Sequence, residues 1–425
     1  MSHAAVSLDK VMARDNIALA ESAGRGLSTL ALGLGGVLTA VSFVLVLTGG
    51  LKVANVVLHS FHTGMLVSLG FSLGALVFVM ILHQTNAGWS ATIRRQFENL
   101  MSLVWVGGLL YLAGVALQVA ALMRYPGGVD APYLFNWMNE AYVAGSALYE
   151  HKAGYLNTPF FFIRAVVYFS VWLGLGAALW SYSTRQDSDG DKWHTAGARK
   201  LSAVGLPLFA LTAAFAGFDW MMTLDFHWFS TMFGVYFFAG GILSALALGT
   251  LVLIVLRSFG RLHVAFTEEH LHDLGKLVFA FTVFWAYIAF SQYFLIWYAN
   301  IPEETAWLVR RRERPWEAMS WILPIGHFIV PFIFLMARTV RRSRGLLAIG
   351  CVWVLAMHIL DWYWAVRPEV KFEGVVIGPS LLDAVAIGGP VLIFVGLLIR
   401  KVASGPLIPL KDPRLSEALA HKNYV

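Results

Sequence analysis

Long apolar stretches, separated by short charged or Gly/Pro-bearing segments, recur along the whole 425-residue chain. A helix that crosses a bilayer needs about 20 mostly apolar residues, and ten stretches meet this requirement. The predicted helices span residues 27–50, 58–82, 101–123, 159–182, 199–218, 228–256, 274–299, 318–338, 345–365 and 381–402. The pattern therefore predicts an all-α polytopic membrane protein with about ten transmembrane helices.

The helices leave short polar segments at both ends of the chain and contain a faint internal repeat. Gly64 and Gly70 in the second helix are matched by Gly234 and Gly240 in the sixth, 170 residues later. The repeat predicts two four-helix bundles that share one orientation, flanked by the first and last helices. The predicted segments are a cytoplasmic N-terminal segment 1–26, a transmembrane domain 27–402 with bundles at about 58–218 and 228–365, and a cytoplasmic C-terminal tail 403–425.

Positive residues are distributed unequally between the two ends of the predicted helices. Of the 31 lysines and arginines, 20 fall on the side of the two termini and 9 on the opposite side. Short loops rich in Lys and Arg stay on the cytoplasmic side of a membrane, so both termini are predicted to be cytoplasmic. The same distribution explains the net charge of +6 without a nucleic-acid partner, because the basic residues sit in short loops between apolar helices.

Composition restricts the class of protein and the cofactors that the chain can hold. Hydrophobic residues make up 58% of the sequence and charged residues 13%, whereas a soluble domain carries about 25% charged residues. The single cysteine, Cys351, cannot form an internal disulfide, a thiolate zinc site or an iron–sulfur site. A bis-histidine haem would need two histidines on facing helices, and nothing in the sequence fixes such a pair. No haem or iron–sulfur cluster is therefore expected in this chain.

The densest polar cluster lies in the turn between the fifth and sixth helices. Asp219, Asp225 and His227 stand there among aromatic residues, at the predicted outer boundary of the membrane. A quinone headgroup needs hydrogen bonds at its carbonyls, proton acceptors when the quinol is oxidised, and flat apolar walls. The cluster contains residue types for all three. A helix cap with an aromatic anchor at the interface explains the same residues.

Ionisable residues also occur inside the predicted helices, where they are energetically costly and indicate function. On the outer side these are His59 and His62, three residues apart on one face of the second helix, and Arg164 in the fourth helix. Others are His358 and Asp361 near the outer end of the ninth helix, His327 near mid-membrane, and Asp273 and Lys276 near the inner face, in a layout that would carry protons part of the way across. These candidates for a proton pathway are Asp273, Lys276, His327, His358 and Asp361. Paired charges and helix-end caps are the alternative explanation.

Three motifs carry a resemblance to a known family. They are Asp219-Trp220 through Leu224-Asp225, His227-Trp228-Phe229-Ser230-Thr231 with Phe233-Gly234-Val235-Tyr236-Phe237, and Phe284-Trp285-Ala286-Tyr287 through Trp297-Tyr298-Ala299-Asn300-Ile301-Pro302-Glu303-Glu304-Thr305. With these motifs the chain resembles the NrfD-like, polysulfide-reductase-type membrane subunits of bacterial alternative complex III. Among them it is most similar to the ActF-like subunits, homologues of ActC. The family fold has two four-helix bundles and two flanking helices.

The resemblance implies a place in a quinol-oxidising respiratory complex of the bacterial inner (cytoplasmic) membrane. Such a complex oxidises menaquinol at the outer face and passes electrons to cytochrome c or another acceptor. The implied partners are an ActC-like homologous membrane subunit, iron–sulfur and multihaem cytochrome c subunits, and membrane lipids. By position, the resemblance puts His59, His62, Arg164, Asp219, Asp225 and His227 in the outer quinone region, and Asp273, Lys276, His327, His358 and Asp361 on a proton route.

Two other functions remain open from the sequence. A secondary transporter shares the helix number and the buried charges, but it would show Gly/Pro breaks at matching places of both halves. Pro324 and Pro331 in the eighth helix have no such match in the fourth. A scaffold subunit of the same complex would bind no quinone, and the sequence does not separate it from the quinone-binding hypothesis. In a complex subunit, Glu303, Glu304 and Arg310 to Arg312 are expected to contact peripheral subunits.

Overall fold

Helices make up nearly all of the regular structure in the computed structural model, which describes residues 8–20, 22–372 and 374–423. Within these ranges ten helices are long and apolar enough to cross a membrane. Their bounds are Arg25–Thr48 (α1), Leu51–Gln84 (α2), Arg94–Arg124 (α3), Thr158–Asp189 (α4), Trp193–Leu224 (α5), Met232–Ser258 (α6), Glu268–Ala299 (α7), Glu317–Met336 (α8), Arg344–Glu369 (α9) and Leu381–Ala403 (α10). The prediction of an all-α fold with ten membrane-spanning helices is confirmed.

Shorter elements occupy the connections between these helices. Because ten crossings are an even number, both ends of the described chain lie on one face, which we call the terminal face; the opposite one is the far face. The short helices are Leu8–Met12, Arg14–Ile17, Gly88–Thr92, Asn136–Met138, Glu140–Val143, Ala147–Lys152, Pro302–Arg312, Arg338–Arg342 and Leu415–Leu419, and the two-residue strands Lys371–Phe372 (β1) and Val375–Val376 (β2) pair antiparallel.

Local capping residues explain where several helices begin and end. Before α4, the side-chain oxygen of Asn157 accepts a hydrogen bond from the backbone N–H of Phe160 (3.0 Å), and proline occupies the first turn. Asn at the cap satisfies an N–H group that has no partner within the helix. The helix ends at Gly190, whose φ of 72° is a left-handed conformation that glycine adopts without strain.

Helices α2 and α6 form the centre of the molecule, since 94% and 78% of the residues in their most apolar 18-residue stretches are buried. They approach closely because small residues meet where they cross. A Cβ added to Gly74 of α2 would lie 2.0 Å from the carbonyl oxygen of Gly241 in α6. Such small-residue contacts allow backbones to pack directly in membrane proteins.

The other helices pack around this central pair in two sets with the same contact pattern. Helices α3 and α5 pack on α2, and α4 packs on both of them. In the same way α7 and α9 pack on α6, and α8 packs on both of those. We call α2–α5 the first set and α6–α9 the second set. Helices α1 and α10 pack against each other and against α2.

Several helices begin well before the apolar stretch that predicted them, and the tail after α10 explains part of this. Helix α3 begins at Arg94, seven residues earlier than expected. Its first turn is polar, yet it is buried: Arg94 donates to Asp412 of the tail (2.6 Å), and Leu407 and Ile408 of the tail are fully buried. The tail therefore lies packed along the terminal face.

Candidate functional site

A cavity of about 170 Å³ opens at the far face, where segments from distant parts of the chain converge. Three of the residues predicted for the quinone region, His59, Asp225 and His227, line it together. The remaining lining comes from α2, the loop after α3, the end of α5 and the turn that follows it, the helix Pro302–Arg312, and the end of α9 with the residue after it. These residues are Asn55, Val129, Asp130, Ala131, Tyr133, Asn136, Tyr142, Leu224, Phe226, Arg310, Glu369 and Val370.

His59 belongs to the buried part of this lining and presents a basic nitrogen. Its side chain lies in the third turn of α2, and the residue is only 3% exposed. Nδ1 lies 2.9 Å from the backbone carbonyl of Asn55. A carbonyl can only accept, so Nδ1 carries the proton and Nε2 is the acceptor nitrogen of a neutral imidazole. Nε2 of His59 can therefore accept a hydrogen bond from a ligand.

Asp225 anchors a charged network at the mouth of the cavity. Its carboxylate accepts from Arg310 Nη2 (3.1 Å) and from the backbone N–H of His227 (3.1 Å). Burial alone would raise the pKa of Asp225, but the hydrogen bonds from His227 and the charge of Arg310 outweigh it and hold that pKa well below its usual range. Asp225 therefore remains ionised, and Arg310 also pairs with Glu369.

The side chain of His227 completes this side of the cavity from a more accessible position. The imidazole is 51% exposed and its Nδ1 lies 3.2 Å from Asp225 Oδ1. Its ring packs on Phe226 with the centroids 4.0 Å apart. The cavity thus joins an accessible histidine with a buried one, and Phe226, Tyr133 and Tyr142 line it with them.

Two of the three arginines after α7, Arg310 and Arg311, are turned inward, whereas Arg312 is exposed; the expected contact with peripheral subunits stays a prediction. Arg311 is fully buried. It donates to the carbonyl of Ala365 (2.7 Å) and to Glu369 Oε1 (2.8 Å), and it stands 3.4 Å over the ring of Trp307. Burial lowers the pKa of Arg311 to about 10, although Glu369 opposes the shift. Arg310 and Arg311 therefore hold the far face together; they do not project from it.

Arg164 and Asp219 do not line the cavity but form a buried ion pair between α4 and α5. Arg164 donates from Nε to Asp219 Oδ2 (2.7 Å) and from Nη2 to Oδ1 (2.9 Å). The hydroxyl of Tyr168 donates to Oδ2 as well (2.7 Å). Nearby, His62 Nε2 lies 2.6 Å from the carbonyl of Trp220. Both carboxylate oxygens of Asp219 thus accept hydrogen bonds from protein groups, as expected for an ion pair with a structural role.

Asp361 occupies a comparable place in the second set of helices, but no cation among the described residues pairs with it. Its carboxyl accepts from the hydroxyl of Tyr236 and from Trp285 Nε1 (3.0 Å), and it is 1% exposed. Asp219-Trp220 at the far end of α5 and Asp361-Trp362 near the far end of α9 share the same dipeptide. One of the two equivalent carboxyls is thus paired with arginine and the other with neutral donors.

Two fully buried histidines stand close to Asp361 without hydrogen-bond partners. Both ring nitrogens of His327 and of His358 lack a partner among the described residues. His327 packs on Trp285, with ring centroids 3.9 Å apart, and belongs to a π-helical segment, Pro324–Ile329, that interrupts α8. Buried polar groups are almost always paired, so these four nitrogens indicate internal water or a proton-handling role. Such π segments are frequent at functional sites.

The two remaining predicted residues of the proton pathway lie apart from this cluster, at the terminal face. Asp273 Oδ1 lies 2.5 Å from Lys276 Nζ, and its other oxygen lies 2.5 Å from Nε2 of His421 in the C-terminal tail. Lys276 also donates to Asn423 (3.0 Å). Asp273 and Lys276 therefore tie the tail to α7, while His327, His358 and Asp361 form a separate group deeper in the second set.

No protein-family model matches the chain, and no curated protein matches it. The fold itself defines the class: an integral, multi-pass helical membrane protein with ten candidate spans within the described residues.

Proposed function

We propose that the chain is the quinone-interacting integral membrane subunit of a quinol:cytochrome c, or quinol:electron acceptor, oxidoreductase. The observation that carries the proposal is the far-face cavity, where His59, Asp225 and His227 come together from separate segments. A quinol headgroup between the rings of Tyr133, Tyr142 and Phe226 would meet hydrogen-bonding groups at both ends. The motifs in α5 to α7 that resemble NrfD-like, ActF-like subunits support the same function.

The chemistry of the cavity fits the proton side of quinol oxidation. Menaquinol, or another quinol, loses two protons and two electrons when it becomes the quinone. His59 Nε2 would accept one proton, and the accessible His227 beside ionised Asp225 would pass protons to the aqueous phase. The electrons would leave to iron–sulfur and multihaem cytochrome c subunits, because the single Cys351 cannot hold a thiolate cluster.

The same proposal places the protein in the bacterial inner membrane beside an ActC-like homologous subunit, with the terminal face in the cytoplasm. Its proton pathway would use the group of His327, His358 and Asp361, whose unpaired imidazole nitrogens suit a water-linked relay. Asp273 and Lys276 would stand at the cytoplasmic entrance of that route. Quinol oxidation would then release its protons at the far face, outside the cell membrane.

Turnover of the assembled complex tests the quinone role. His59→Gln removes the basic Nε2 and is expected to lower quinol oxidation at least ten-fold, since positioned general bases contribute about 10²–10⁴-fold. His151→Gln is the matched control, because His151 is an exposed far-face histidine outside the cavity. Unchanged turnover for His59→Gln and for Asp225→Asn, in complexes with full subunit content, would leave the scaffold function instead. Solute uptake by the purified chain in liposomes would favour the transporter.

A further inference from the structure

The terminal face of the second set of helices carries positive charge that its own carboxylates do not neutralise. Lys276 is paired with Asp273 (2.5 Å), and Arg342 is paired with Glu269. Arg341 directly precedes Arg342 in the sequence, and among the described residues it has no carboxylate partner. An uncompensated guanidinium at a membrane boundary is a site for an anion.

The Arg341 side chain is held in a fixed position along α7. A Cβ added to Gly275 would lie 3.0 Å from Arg341 Cβ and Cγ, so the glycine lets the stem of the arginine lie close against the helix. The guanidinium stands over the ring of Phe279 at 5.9 Å, a cation–π arrangement. It donates from Nη2 to the carbonyl of Met336 (3.1 Å), whereas its buried Nε has no partner in the part of the chain that the structure describes.

A second unpartnered group converges on the same place. His272 is only 7% exposed, and its buried Nδ1 has no hydrogen-bond partner within the described residues. The charges that face its imidazole are the cations Lys276, Arg341 and Arg342 and the anion Asp273. A buried ring nitrogen without a hydrogen-bond partner is costly, and cations outnumber anions around it. In the tautomer that carries the proton on Nδ1, this nitrogen would donate to an anion placed here.

We propose that Arg341, His272 and Lys276 bind the phosphate of an anionic phospholipid. The cluster lies just beyond the end of α8, where the apolar span gives way to the headgroup region. Ile333 and Met336, on the last turns of α8, are 62% and 55% exposed and give the acyl chains an apolar surface beside the phosphate. A guanidinium with a free Nε–H matches the geometry of a phosphate. This site does not depend on the quinone proposal.

The test uses the full chain in mild detergent and a fluorescent phosphatidylglycerol diluted in micelles that contain phosphatidylcholine. Arg341→Gln is expected to weaken binding roughly five-fold, the usual effect of one basic residue on an anionic lipid. Lys276→Gln, whose side chain is 45% exposed, is expected to weaken it by a similar factor. Arg199→Gln removes the same charge from an exposed position at the terminal end of α5 and is expected to leave binding unchanged.

Competition separates a lipid from a free anion. Unlabelled phosphatidylglycerol is expected to displace the probe, whereas phosphatidylcholine and millimolar inorganic phosphate are not. Displacement by inorganic phosphate would assign the cluster to a soluble anion and overturn the lipid proposal. Equal binding by Arg341→Gln and Arg199→Gln would overturn it too. If Arg341→Gln does not fold, Lys276→Gln decides alone, since its exposed side chain leaves the packing of α7 intact, and unchanged binding by that variant refutes the site.

Discussion

The ion pair between Arg164 and Asp219 leads to a strong prediction about stability. Asp219→Asn keeps the size of the side chain but removes its negative charge. Arg164, 7% exposed in the native protein, is then left buried without a counter-ion. Removing one partner of a buried ion pair costs about 3–5 kcal/mol, because the remaining charge stays out of water.

The contacts around the pair set the loss near the lower end of that range. Asp219 accepts three bonds, at 2.7, 2.9 and 2.7 Å, and an asparagine amide keeps one acceptor oxygen while its NH₂ group faces the guanidinium. Arg164 retains its bond to the carbonyl of Tyr155 (2.8 Å) and its contact with that ring at 3.8 Å. We therefore expect a loss of about 3 kcal/mol, with most of it recovered when Arg164→Met is combined with Asp219→Leu.

The measurement is reversible unfolding by sodium dodecyl sulfate in mixed micelles, followed by circular dichroism and tryptophan fluorescence. Asp130→Asn is the matched control, because Asp130 is exposed on the far face, and it should change the free energy of unfolding by no more than about 0.5 kcal/mol. The reasoning fails if Asp219→Asn loses less than about 1 kcal/mol, or if the apolar double variant is less stable than the single one.

Two further predictions concern the far face and the central helix crossing. The folded-state pKa of Asp225 lies below its ordinary value of 3.8, so the ionised carboxylate stabilises the protein fully above pH 3.8, and this contribution is lost as the pH falls towards the folded-state pKa. The thermal midpoint of unfolding should therefore drop below about pH 4. The same drop in Asp225→Asn would contradict this explanation. Gly74→Ala should lower the free energy of unfolding by about 1–3 kcal/mol, because its Cβ would lie 2.0 Å from the carbonyl oxygen of Gly241. The control Gly33→Ala, with open space around the added Cβ, should leave the free energy of unfolding unchanged or raise it slightly in the same assay.

The membrane-spanning helices could be predicted because the thickness of the hydrocarbon layer requires a long run of apolar residues. Such a run can be read directly from the sequence, without knowing which residues are in contact. Helix ends were harder to predict. Helix α3 begins at Arg94, in a polar stretch whose burial depends on Asp412 more than 300 residues later. No local pattern announces such a partner. For the same reason the sequence did not place Arg310 and Glu369 in the far-face site. Only the folded chain pairs Arg310 with both Asp225 and Glu369.

Residue type alone identified candidate residues of the site, but only the structure shows which of them contact one another. Arg164 and Asp219 are both ionisable residues at the far ends of helices, and only the structure shows that they neutralise each other. One signal in the sequence could have indicated the relation between the two sets of helices: Asp-Trp recurs at Asp219 and Asp361. It does not show that the second carboxyl has Tyr236 in place of an arginine.

The packing of the tail after α10 has a consequence for biogenesis. Residues 404–423 are translated after all ten spanning helices, yet they supply Asp412 to Arg94 and His421 to Asp273. Before the tail is made, Arg94 and Asp273 therefore have only partners on their own helices, Glu98 and Lys276. A ribosome stalled within the tail is expected to leave all ten helices made and the terminal face without these contacts.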